Sequence, residues 1–196
     1  MISTKSKVFF LTGIKHSGKS SVGRAVARLL GAHFIDIDDL IVDILPIGYD
    51  SIRSFYKEEG KEAFMSLELK CVEEYLLSVH PHIVYIIALG GGACDNIPLT
   101  TMLKERGVIL YLSLLEETLL QRIKEKGVPP FLDKDDLEGS FHSLFSQRDG
   151  QYRQLSDFVV SLRDFESIES NAKKVASFIT QLLGDTTWAE IPLEVH

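Results

Sequence analysis

Residues Leu11–Ser21 read LTGIKHSGKSS, and within them Gly13–Ser20 satisfy the pattern G-x-x-x-x-G-K-[ST]. This is the P-loop pattern: its glycines let the backbone curl round a polyphosphate and aim N–H groups at the oxygens. Gly13, His16, Ser17, Gly18, Lys19 and Ser20 all fall inside it. Lys19 is positioned to reach the β- and γ-phosphates, and the Ser20 hydroxyl to face Mg²⁺. The alternative is a plain Gly/Ser turn between a strand and a helix, and the flanks separate the two. VFFL (8–11) is a β-rich apolar run, and in SVGRAVARLLG (21–31) Val22, Val26, Leu29 and Leu30 recur at helical spacing before Gly31 supplies a stop. Strand, loop and helix in that order place a helix N-terminus, with its dipole and free N–H groups, under the phosphates.

Outward from this unit, HFIDID (33–38), HIVYIIAL (82–89), GVILYLSL (107–114) and SDFVVSL (156–162) read as further strands separated by helical or loop-like segments. The alternation predicts an α/β domain around a largely parallel sheet, whose ligands sit beyond the carboxyl ends of the strands. The 196 residues, 45% hydrophobic and 25% charged, suit one globular domain with a sizeable core. No repeat, low-complexity tract or linker divides them.

The formal net charge of −7 argues against a broad nucleic-acid surface, which needs a basic face, whereas a small phosphorylated ligand needs only local positive charge. No apolar run is long enough to span a bilayer. Cys71 and Cys94 lack metal-ligand spacing and read as free thiols of a cytoplasmic protein. Nothing in the sequence signals oligomerisation, and a monomer is expected.

Two other stretches carry chemistry. In HFIDIDD (33–39), strand alternation puts Phe34, Asp36 and Asp38 on one face. Beside a P-loop, one such carboxylate can face a metal's water shell and the other the hydroxyl to be phosphorylated. The competing reading is a helix N-cap at Asp38 or Asp39 with Asp36 merely solvated. In ALGGGACD (88–95), Gly90, Gly91 and Gly92 either expose N–H groups to an acceptor or a phosphate, or make a tight turn with φ above zero.

The P-loop after the first strand, D-x-D after the second, GGGA after the next and the late stretch RDGQYRQLSDFVV (148–160) resemble, in that order and at similar spacing, the shikimate kinase family. The resemblance covers roughly residues 8–183. It implies a nucleoside-monophosphate-kinase-type fold with a central five-stranded parallel sheet, a substrate-binding excursion at about 40–80 and a lid at about 125–141 that closes over ATP. It places Gly13, Gly18, Lys19, Ser20 and Ser21 at the ATP phosphates and Mg²⁺, and Asp36 near the metal. Asp38 corresponds to the residue that holds the acceptor hydroxyls and serves as base. Gly90, Gly91 and Gly92 would line the acceptor pocket, Arg122 would lie against adenine, and Arg148 would meet the acceptor carboxylate.

The sequence departs from the family in three places. Where the family has G-E-x-x-F-R-x-x-E, this chain has GKEAFMSLE (60–68), with Met65 at the Arg position and Lys61 at the Glu position. A bidentate guanidinium is thereby lost, and Lys61 is the nearest replacement in sequence. The lid reads VPPFL (128–132), with Pro129 in place of a cation and Lys124 and Lys126 just before it. His16 stands where the family often has Gly, as a solvated loop side chain or a phosphate contact.

Two classes of function follow: a small-molecule kinase, with shikimate or another polyol or sugar acid as acceptor, or a nucleotide-binding regulatory protein that has lost efficient catalysis. Both carboxylates beside an intact P-loop favour the kinase. The tail at 184–196 follows a closing helix, and Trp188 is expected to pack in part on the surface.

Overall fold

The structure, a computed structural model, describes residues 7–129, 131–164 and 166–184. The expectation for Trp188 lies outside the described residues. Five strands, β1 (Val8–Thr12), β2 (His33–Asp36), β3 (Tyr85–Ala88), β4 (Val108–Ser113) and β5 (Phe158–Ser161), form one sheet in the order β2-β3-β1-β4-β5, with every pairing parallel. Because β1 pairs with β3 on one side and β4 on the other, its carboxyl end is the point where the strand order reverses, the usual ligand crevice of such sheets.

Alternation along β1 sorts the core into two layers. Phe9 and Leu11 face a cluster with Val22 and Val26 of α1 (Lys19–Leu30) and Ala172, Val175 and Ile179 of α7 (Ile168–Leu182). Val8 and Phe10 face the opposite cluster, which contains Ile37 and Ile41 of α2 (Ile37–Asp43), Val72 of α3 (Ile52–Leu77) and Leu99 and Leu103 of α4 (Ile97–Arg106). All five residues of β1 are buried, as a strand covered on both faces requires. Helices α5 (Glu116–Lys126) and α6 (Leu137–Leu155) flank the segment 127–136 and add Ile123, Phe141 and Tyr152 to the α1 side.

Two boundaries differ from the sequence expectation. β2 ends at Asp36, and Asp38 lies inside α2, so strand alternation does not place the two carboxylates on one face. Helix capping wins over the strand period: Asp36 is extended (φ −105°, ψ 123°), and its Oδ1 accepts from the Asp38 N–H at 3.1 Å. The cap is therefore Asp36, rather than Asp38 or Asp39. The polar excursion expected at 125–141 narrows to residues 127–136, since Glu125 and Lys126 close α5 and residues 137–141 begin α6. Asp136 caps α6, its Oδ1 accepting from the Gly139 N–H at 3.1 Å. The excursion after β2 consists of α2 and α3, and α3 breaks at Gly60 (φ 86°).

Candidate active site

The chain leaves β1 through Gly13 (φ 154°) and enters α1 through Gly18 (φ 97°), values that L side chains adopt only with strain. No side chain caps α1. The first-turn N–H groups of this helix are left for an anion, with the helix dipole behind them. Ser20 and Ser21 are exposed at this end, and the Ser17 hydroxyl inside the loop is buried without a partner. Lys19 is buried, with Nζ donating to the carbonyls of Gly13 (2.7 Å) and Ile14 (3.1 Å). Burial brings its ammonium down to about 8, while the carboxylates of Asp38 and Asp36 pull the other way.

His16 is the one non-glycine described with positive φ, at 67°. Its Nε2 is shut away from solvent without a protein partner, and burial together with the cations of Lys15 and Lys126 lowers its pKa. A freely solvated side chain is thus not what the structure shows. Arg122 braces the loop from outside: Nη1 donates to the His16 carbonyl at 2.9 Å, and Nη2 pairs with Asp164 beyond β5.

Opposite the P-loop stands Asp38. It is solvent-accessible, yet it lies in a cleft crowded by protein, and this crowding, with Asp36 beside it, raises its pKa against the pull of Lys19 and Lys15. Gly90, Gly91 and Gly92 run between the two. None of the three has positive φ, which overturns the reading of a left-handed turn. Close approach to backbone requires glycine at Gly91, and Gly90 and Gly92 lie tight against side chains. A β-carbon on Gly91 would lie 2.9 Å from the Lys15 backbone nitrogen, one on Gly90 would lie 3.3 Å from both Asp38 Oδ1 and Glu68 Oε1, and one on Gly92 would lie 3.3 Å from Arg148 Nη2.

Beyond the glycines Arg148 of α6 donates from Nη1 to the Gly91 carbonyl (3.0 Å) and from Nη2 to Asp95 Oδ2 (3.2 Å). The same oxygen accepts from Lys61 Nζ at 3.4 Å. Lys61 sits just past the Gly60 break, so two cations share one carboxylate at the far wall of the cleft. Phe131, between α5 and α6, lies under the Arg148 guanidinium, 5.5 Å from ring centroid to Cζ. Met65 is half-buried on α3, its carbonyl accepting from Asn96 Nδ2 at 2.8 Å.

Sequence reasoning passed over Glu68, Asp95, Asn96 and Lys15. Glu68 is buried and accepts from Asn96 Nδ2 at 2.9 Å; its burial, with Asp38 and Asp95 nearby, pushes it up to about 7. The available signal was its place between Phe64 and Val72 on an inward face of α3, where a carboxylate is out of keeping. Asp95 and Asn96 follow GGGAC directly and had no signal short of the fold.

A P-loop at the sheet's reversal point, facing a carboxylate across a backbone-only wall, defines a phosphotransferase that uses ATP and a hydroxyl acceptor. The chain belongs to the shikimate kinase family: the family described as "Shikimate kinase" matches residues 15–182. It is similar to the shikimate kinase of Halorhodospira halophila, 35% identical over 180 residues covering 92% of this chain and 94% of that one. The shikimate kinase of Paracidovorax citrulli is 34% identical over 167 residues, covering 85% and 88%. Among solved structures, shikimate kinase from Acinetobacter baumannii in complex with shikimate superposes with TM-score 0.76 at 28% identity, covering 89% of this chain and 93% of that one. Among the described residues, no helix is long and apolar enough to cross a membrane.

Proposed function

We propose that this chain phosphorylates shikimate, giving shikimate 3-phosphate and ADP, and that the uncapped N-terminus of α1 facing Asp38 is the observation that carries the reading. The acceptor hydroxyl oxygen attacks the γ-phosphorus, the bond to the β-phosphate oxygen breaks with its electrons going to ADP, and Asp38 takes the hydroxyl proton. A carboxyl raised above its ordinary value is the stronger base for that step. Lys19 and the first-turn N–H groups of α1 hold the phosphates, and Arg122 steadies the loop on the adenine side.

Mg²⁺ accompanies the nucleotide. The exposed Ser20 hydroxyl and the Asp36 oxygen not used in capping are hard donors that fit it, and the ion neutralises charge on the phosphates. The buried free thiols Cys71 and Cys94 suit the reducing cytoplasm.

The acceptor carboxylate is held by Arg148 and Lys61 together, with Lys61 supplying the charge that Met65 lacks. Their shared contact with Asp95 supports this reading. The Lys61 pair is half-exposed and weak, so its ammonium is free to turn to a substrate anion.

Steady-state kinetics on shikimate and a carboxamide analogue test this. Lys61→Met is expected to raise KM for shikimate roughly tenfold and leave the analogue unchanged, while Met65→Arg adds little, given that a charge-assisted hydrogen bond is worth about 1.5–3 kcal/mol. Poor parent turnover of shikimate, restored 10- to 100-fold by Met65→Arg, would show that Lys61 does not serve.

A further inference from the structure

A phosphoryl group in transit needs positive charge on its equatorial oxygens, and a lid commonly supplies part of it. Here the segment between α5 and α6, residues 127–136, holds one lysine, Lys134, among Asp133, Asp135 and Asp136. At its border Lys124 pairs with Glu138 at 2.7 Å on the exposed surface. The segment thus carries three carboxylates to one ammonium, which turns the search for a fixed cation to the P-loop itself.

The P-loop offers one in Lys15. Its side chain is exposed and makes no hydrogen bond or ion pair among the described residues. Its backbone is pressed against the acceptor loop, since a β-carbon on Gly91 would stand 2.9, 3.0 and 3.1 Å from its N, Cα and Cβ. Lys15 is therefore the point where the nucleotide cradle touches the acceptor wall. Its charge is felt at both ends of the reaction, at Lys19 and at Asp38. Lys126 is felt at His16, on the nucleotide side.

Resting on the phosphotransferase reading above, we propose that Lys15 is a catalytic residue whose ammonium contacts the γ-phosphoryl group as it passes from ADP to the acceptor hydroxyl. Lys15 neither gains nor loses a proton in the step, and the hydroxyl proton still goes to Asp38. Its contribution is fixed charge on the oxygens, held in the loop rather than delivered by closure.

Lys15→Met and Lys15→Arg test this, with kinetics on shikimate and calorimetric binding of ADP·Mg²⁺ with and without aluminium fluoride, a mimic of the phosphoryl group in transit. Lys15→Met is expected to lower kcat by roughly 10²-fold or more with acceptor KM within a few-fold, and Lys15→Arg to recover most of it. ADP affinity should stay at the parent value, which also reports an intact P-loop, while the gain in affinity from aluminium fluoride should fall at least about tenfold.

Parent-like kcat and parent-like fluoroaluminate binding in Lys15→Met would overturn the proposal. So would a raised shikimate KM at unchanged kcat, which would assign Lys15 to the acceptor carboxylate instead. Should the parent fail to turn over shikimate, the acceptor reading falls alone, and fluoroaluminate binding still decides the role of Lys15.

Discussion

Replacing Glu68 by Gln should make the protein more stable above neutral pH and change it little in acid. In the native state the buried Glu68 is pushed up to about 7, against an ordinary value of 4.5, by removal from water first and by Asp38 and Asp95 second, with the Asn96 hydrogen bond opposing. Between these two pH values the folded protein keeps the proton and the unfolded chain loses it. The unfolded state then binds fewer protons, so stability falls as pH rises. At about 1.4 kcal/mol per pH unit, the interval from 4.5 to 7 amounts to about 3 kcal/mol, complete once both states are ionised. Gln cannot ionise, and its carbonyl still accepts from Asn96. Urea unfolding at pH 4.5, 6, 7 and 8 measures the difference between variant and parent. That difference should grow from near zero to about 3 kcal/mol in favour of the variant. Lys19, depressed to about 8, titrates at the upper end of this range, but it is common to both proteins and drops out of the difference. A difference that does not change with pH would refute the reasoning.

Lys19→Ala should abolish turnover, while Asp38→Asn should leave nucleotide affinity nearly unchanged and cut kcat by roughly 10²-fold or more; equal rates for Asp38→Asn and parent would remove Asp38 from the chemistry. Phosphates raise the depressed Lys19, so ADP binding at pH 8.5 should take up a proton and weaken as pH rises through 8; calorimetry in buffers of different ionisation enthalpy detects the uptake. Amide exchange over residues 127–136 should slow when a non-hydrolysable ATP analogue is added; protection at the P-loop alone would mean that this segment does not close over the nucleotide.

The parallel sheet was readable because the three central strands, β1, β3 and β4, are buried apolar runs and the P-loop marks one strand-to-helix junction. The same reading carried β2 two residues too far. HFIDID satisfies strand alternation and an Asp cap equally well, and the choice depends on Ile37 and Ile41, which are drawn into the core beneath α2. The triple glycine was legible as a stretch of bare backbone, but what approaches it comes from 38, 15, 68 and 148, and no local pattern announces contacts at such separations. His16 shows the same limit. Its shielded ring follows from the left-handed backbone and from packing against distant segments, not from its own polarity.

The sheet order also governs how the protein is born. β1 precedes the other four strands of the sheet in the chain but does not border β2; its partners are β3 and β4, so both its edges stay open until the ribosome has passed residue 88 and then residue 113. At about 5–20 residues per second that is several seconds during which VFFL has no ladder to join. The helix after it can coil early, but the nucleotide cradle has a wall on neither side. ATP is therefore a poor template for the nascent chain and a good one for the finished chain. The late strands, rather than the glycine loop itself, decide when this protein can first recognise its nucleotide.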